Sequence, residues 1–512
     1  MNRSVRFFYG VAIFTILASL GTAVFAQKSK DTIRVPFNSP LSTIDFFYDP
    51  GQLQNMWADA FYDGLVNFDP DTGKFAPNLA QSWSRVNETT LEFDLREDVT
   101  WHDGERFDAD DVVHIINWLV DPKVVLRLKE NWAFFEGAEK LGPYRVRIRT
   151  NQATPFDLMR LAYGTHIYPE HVHAPLDNKE KFGQSPIGTG PLKALLVDKN
   201  RGIEAARSER YNRSSKTKPA ATIGRVVAPF IPDLGAQIAH MQSDGVDVLW
   251  NIDAEQAELL GNDGRFEVTL DQGLNYMFLG IPGQGRRNVP ALADARVRRA
   301  IAMAIDRETL QRLAAGGAKP ERAFEAICWK VQLGCGYTKT TPAFDPAAAK
   351  RLLAEAGYPN GFDVEVVSFT GAQAQLGQAA VGMLRAVGIR ASLRAVPIIV
   401  ARNLERDGKL QVMLYGWGGG GMFDASGAMV RHFLRPEYDD PVLTELAQKT
   451  MGIMDDTERR SATAKAIDYS IDQAHLFPMI SNPRTIVHRK EVKVAMPVMR
   501  PNGPFASDFA WK

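Results

Sequence analysis

The residues most suggestive of chemistry in this sequence are six in a row, Gly416-Trp417-Gly418-Gly419-Gly420-Gly421. They satisfy G-x-G-x-x-G and follow the strand-like residues 410–415. A dinucleotide fingerprint opens directly into a helix near the start of its domain, whereas Met422-Phe423-Asp424 follows here. No Lys-Ser/Thr pair follows the glycines, so a phosphate-cradling P-loop is excluded as well. What remains is a closely approached backbone loop at the end of a strand, where α/β proteins place ligands. Trp417 has little local cover among the glycines, which makes it a candidate ligand platform with a core tryptophan as the alternative. His166, His171 and His173 lack the one-face spacing of H-E-x-x-H and read as surface-loop histidines, so no metal is expected. His102-Asp103-Gly104 reads as a turn rather than a dyad. Asp439-Asp440 and Asp455-Asp456 precede helical segments and read as caps. No nucleophile elbow is found, and neither a catalytic group nor a cofactor is expected.

The elements that must position these residues alternate between helix and strand, which indicates an α/β fold. Asp345 caps a helix opened by Pro346 and stopped by Gly357, and Asp294 opens another that closes at Gly316-Gly317. Residues 233–244 and 246–250 form one helix–strand pair and residues 376–387 and 389–396 a second, far enough apart to predict two α/β lobes. Residues 61–149 are richer in strand signals, with a hairpin turn at Asp69-Pro70-Asp71-Thr72-Gly73, strands at 90–95 and 144–149, and an Asp108-capped helix over 109–119.

Composition bounds the rest. A chain of 512 residues corresponds to about three domains. Sixty basic residues balance sixty acidic ones, without the basic excess of a nucleic-acid binder. Arg3 and Arg6, the apolar run from Phe7 to Leu20, and Val24-Phe25-Ala26 form a signal peptide over residues 1–26, with cleavage expected after Ala26. The run is short for a membrane span, and no cysteine follows it to carry a lipid. Export to an oxidising compartment makes a Cys328–Cys335 disulfide the expected state of the two cysteines.

A series of motifs then appears in order along the chain. Tyr62-Asp63-Gly64-Leu65 followed by Pro77-Asn78-Leu79-Ala80-Gln81-Ser82-Trp83 is similar to "YEGL…P-x-LA-x-SW", and Trp101-His102-Asp103-Gly104 to "F-HDG". Ala109-Asp110-Asp111-Val112 is similar to "A-x-DV" and Pro186-Ile187-Gly188-Thr189-Gly190-Pro191 to "P-x-GTGP". Asp294-Ala295-Arg296-Val297-Arg298 and Leu352-Leu353-Ala354-Glu355-Ala356-Gly357-Tyr358 complete the series. Together they resemble the family 5 extracellular solute-binding proteins of ABC importers, which include dipeptide, oligopeptide and nickel binders. The resemblance implies a two-lobed periplasmic-binding-protein clamp with two hinge segments and an extra α+β subdomain in lobe I. Lobe I would comprise residues 27–60, 186–279 and 483–512, the subdomain 61–185, and lobe II 280–482. It also implies a periplasmic monomer that is not an enzyme, closing on a small-molecule solute and presenting it to the permease transmembrane subunits. Trp417 carries over as a pocket wall, and its neighbours Tyr415, Gly418, Gly419, Gly420 and Asp424 are candidate ligand contacts from their place in the chain, Asp424 only if the loop folds back. One departure stands out. Peptide binders of the family hold the peptide ammonium with an aspartate where Gly420 stands here, so ordinary peptides are expected to bind poorly. A secreted hydrolase, distinguished by turnover, and a clamp-type sensor, distinguished by its genetic neighbours, are the competing readings.

Overall fold

The computed structural model describes residues 31–41, 43–49, 52–250, 252–271, 273–315, 324–418, 423–434, 438–495 and 506–512. The expected signal peptide, Gly419 and Gly420, and the stop at Gly316-Gly317 lie outside them.

Helices begin where the sequence supplies caps. Asp345 accepts from Ala348 N at the head of Pro346–Glu355, and Asp108 forms a capping box with Asp111 at the head of Ala109–Val120. Asp440 and Asp455 cap Pro441–Thr450 and Asp456–Asp472. The segment opened by Asp294 is two helices rather than one. Asp306 accepts from the amides of Glu308 and Thr309, which ends Ala295–Met303 and starts Arg307–Ala314.

These elements pack about three main sheets. Thr32–Arg34, Arg225–Pro229, Gly202–Arg207 and Leu192–Asp198 form the sheet of lobe I. Ala80–Asn87, Thr90–Leu95, Arg145–Thr150 and Phe135–Gly142 form a four-stranded antiparallel sheet within residues 61–185. Both sheets contribute to one continuous apolar core running from Ile33 to Phe509. Lobe II is a five-stranded sheet in the spatial order Arg390–Val396, Asp363–Phe369, Val412–Trp417, Tyr276–Gly280, Leu476–Ser481. Its first three strands are parallel and the last two antiparallel to their neighbours.

Strand Tyr276–Gly280 is bonded on both sides within this sheet, so the first crossing into lobe II precedes residue 276 and does not fall at 279–280 as expected. The crossing lies between Phe266–Asp271 and Tyr276–Gly280, and its counterpart between Leu476–Ser481 and Arg484–Arg489. These four strands pair two by two, which brings the crossings side by side. Asn482 N donates to Asn275 O at 2.9 Å, and buried Arg484 pairs with buried Asp271 at 3.0 Å.

The matched motifs meet in one place. Buried Asp63 pairs with Arg213, lies 2.7 Å from Lys218 Nζ, and accepts from Thr189 Oγ1 at 2.7 Å and Asn78 Nδ2 at 3.3 Å. Burial alone would raise the Asp63 carboxyl, but the charges of Arg213 and Lys218 overcome it and hold the group far below the usual carboxylate range. Gly190 N donates to Phe61 O at 2.8 Å, and a Cβ on Gly188 or Gly190 would overlap the main chain of residues 60–61. Glycine is therefore required at both positions. His102 Nε2 donates to Gly190 O at 3.0 Å, while its Nδ1 accepts from Gly188 N at 3.2 Å. Burial pushes this ring down to about 4, so it is neutral near pH 7.

Candidate functional site

A cavity of about 500 Å3 lies between the subdomain and lobe II. Phe134, Asn151, Phe156 and Arg160 line one side, and Trp417, Ser426, Val430 and Arg431 the other. Helix Asp157–Ala162 positions the first wall. Its Asp157 pairs with Arg85 at 2.7 Å, and its Met159 is fully buried in the apolar cluster of lobe II. Phe68 crosses in the same way and packs on Phe423, with ring centroids 5.2 Å apart.

Trp417 ends the strand Val412–Trp417, between a parallel neighbour and an antiparallel one, at the carboxyl edge where the sheet changes direction. Its half-buried indole stands edge-on to Tyr276 and His432, with both centroids 5.4 Å away. Tyr276 and His432 are joined by a 2.8 Å hydrogen bond, so the ring is braced from behind and faces the cavity in front.

Two expected site residues belong to the scaffold instead. The two-residue strand period puts Tyr415 on the face of Trp417, but its ring is buried flat against Phe369 at 4.5 Å. It walls the core rather than the ligand. Asp424 is also buried, held by Arg459 Nη1 at 3.1 Å and Nη2 at 2.8 Å, and its Oδ1 accepts from Ser426 N at 2.8 Å. It therefore orients the helix Ser426–His432 and has no carboxylate face left for an ammonium. Gly418 sits beside Asn275, where a Cβ would approach the amide oxygen to 3.1 Å.

Cys328 and Cys335 are joined, with Cα atoms 5.9 Å apart. The closed loop braces the cavity from outside. Leu333 N donates to Phe423 O at 3.1 Å and Ala425 N to Leu333 O at 2.9 Å, while Arg460 donates to the carbonyls of Lys330, Gln332 and Cys335.

The histidines separate. His171 bonds Asp103 at 2.8 Å near the surface, but His166 and His173 are buried, the first on Asp59 at 3.1 Å and the second on His114 at 2.8 Å. The surface-loop reading is thus corrected for two of the three. Among the described residues no group of three His, Cys, Asp or Glu side chains is placed to hold a metal.

Arg160 is the residue that sequence reasoning missed. Only 6% of it is exposed, and its Nε has no hydrogen-bond partner. Burial pushes its guanidinium down to about 10, opposed by the charge of Asp424, so it remains a cation near pH 7. The sequence signal is slight: one arginine inside the apolar run Phe156-Asp157-Leu158-Met159-Arg160-Leu161-Ala162. Ser426, on the facing wall, is also 6% exposed with an unpartnered hydroxyl.

A cavity walled by two α/β lobes, with both connections side by side, is the architecture of a solute-binding clamp. The chain belongs to the bacterial extracellular solute-binding proteins, family 5, whose model matches residues 74–438. Its role is that of the solute-binding component of an ABC importer. It is 27% identical over 431 residues to the glutathione-binding protein GsiB of Escherichia coli K12, covering 80% of this chain and 78% of that one. Heme-binding protein A of Haemophilus influenzae is 23% identical over 399 residues, covering 72% of this chain and 71% of the relative. Among solved structures, NikA from Brucella suis in complex with Fe(III)-EDTA superposes with TM-score 0.81 at 22% identity, covering 94% of this chain and 100% of that one. DppA from Helicobacter pylori in complex with peptide STSA gives 0.75 at 19% identity, covering 94% and 98%.

Proposed function

We propose that this protein is exported to the periplasm with cleavage after Ala26 and acts there as a monomer. It captures a small polar organic solute between the Arg160 wall and the Trp417 wall, and presents the closed form to the transmembrane subunits of its importer without converting the solute. The observation that carries this reading is the cavity itself, about 500 Å3 with one wall from each side of the hinge. A ligand touching both walls gains affinity only when they approach, so its binding free energy selects the closed state. Gly418 supplies backbone beside the indole, and the absence of an acid at Gly420 disfavours peptides with a free ammonium. The relatives' names, covering glutathione, heme, peptide and a chelated metal, support a polar organic cargo.

A thermal-shift panel of such solutes on the mature protein tests this. A ligand at a hundred times its dissociation constant adds about 2.7 kcal/mol to stability. Small-angle scattering should contract with the same ligand, and the ligand should be recovered unchanged. Conversion of a solute into product with no contraction would defeat the proposal.

A further inference from the structure

We propose that Arg160 and Ser426 form, from opposite walls of the cleft, the seat for a carboxylate carried by the transported solute. This inference rests on the clamp reading above and adds the charge of the cargo to it.

The surrounding charges are already committed. Asp424 is engaged by both Nη atoms of Arg459. Arg431 pairs with Glu405 at 3.2 Å, and Glu405 also holds Arg402 at 2.8 Å. Glu130, the one carboxylate among the lining residues, is exposed. Arg160 has no ion pair among the described residues, which leaves the cleft a buried cation whose nearest acid belongs to another arginine. Such a cation is costly to bury unless a counter-charge arrives. Ser426 holds an unused hydroxyl opposite it. A guanidinium fork and a hydroxyl together match the two oxygens of a carboxylate, and a single uncompensated charge matches a monoanion rather than a phosphate dianion. The apolar remainder of the lining, Phe134, Phe156, Trp417 and Val430, suits the organic body of such a solute.

Calorimetry with matched pairs tests the proposal: N-acetyl-Met-Leu against its methyl ester, and N-acetylglutathione against its diethyl ester, on wild type, Arg160→Met, Arg160→Lys and Ser426→Ala. Wild type should bind an acid at least ~10-fold tighter than its ester, as expected for a charge-assisted bond. Arg160→Met should lose about 100-fold for the acid and leave the ester unchanged, with Arg160→Lys between, and Ser426→Ala should lose about 5-fold. Esters that bind as tightly as acids, or an Arg160→Met protein that keeps its affinity for the acid, overturn the carboxylate seat. Inorganic phosphate that binds to wild type and not to Arg160→Met overturns it in favour of phosphate. If neutral solutes shift the unfolding midpoint while no acid binds, the seat fails and the clamp reading stands. If no solute of any kind binds, both fall.

Discussion

Two buried charge sites in this protein are built on opposite terms. About Asp63, two cations, a threonine and an asparagine close on one carboxylate. About Arg160, one buried cation has no ion pair among the described residues. The first site is assembled from the motifs that reveal the family, since Asp63 and Asn78 come from one and Thr189 from another. The second contains no motif residue at all. Family likeness in this chain therefore reports how the scaffold is tied, and Arg160 stands outside it.

Breaking the closed site should give the largest effect. Asp63→Asn would leave Arg213 and Lys218 buried without a counter-charge and should cost about 3–5 kcal/mol in urea denaturation. The same pair sets a pH dependence. Because the folded carboxyl is held below its unfolded value, its contribution is present above about pH 4 and fades as pH falls below that. The acid limb of the stability curve should therefore shift markedly in the variant. Removing the disulfide with Cys328→Ser and Cys335→Ser should cost about 2–2.5 kcal/mol for so short a loop, and should also weaken solute binding, because Leu333 holds the chain on either side of Asp424. The smallest change in stability should come at the cleft. Trp417→Ala should lower solute affinity by roughly 10-fold, measured by calorimetry, and cost about 1–2 kcal/mol of folding, since the indole is only half-buried. Loss of the fold in this variant would place Trp417 with Tyr415 in the core.

What could be read from the sequence divides along the same line. Caps at Asp108, Asp345, Asp440 and Asp455 were legible because an N-cap is a local bargain between one side chain and amides two or three residues ahead. The break at Asp306 follows the same rule and was hidden inside a continuous helical pattern. That Trp417 is not covered by the core was expected from its bare glycine surroundings, but its neighbour on the same face was not distinguishable from it. Strand alternation aligns Tyr415 with Trp417, and only the arrival of Phe369 from the adjacent strand covers one and spares the other. The position of the first hinge was misread by a few residues because Tyr276–Gly280, apolar throughout, fits either lobe until its hydrogen-bond partners are known. Arg160 was out of reach for the same reason in a stronger form. A missing partner is a property of the folded surroundings, and no spacing of residues encodes it.

The hydrogen bond from Asn482 N to Asn275 O lies where the two crossings run side by side. With both crossings laid against each other at that point, they act as one fulcrum, and Trp417, paired with Tyr276 on the neighbouring strand, stands close beside it. A solute resting on Trp417 therefore bears on the wall next to that pivot.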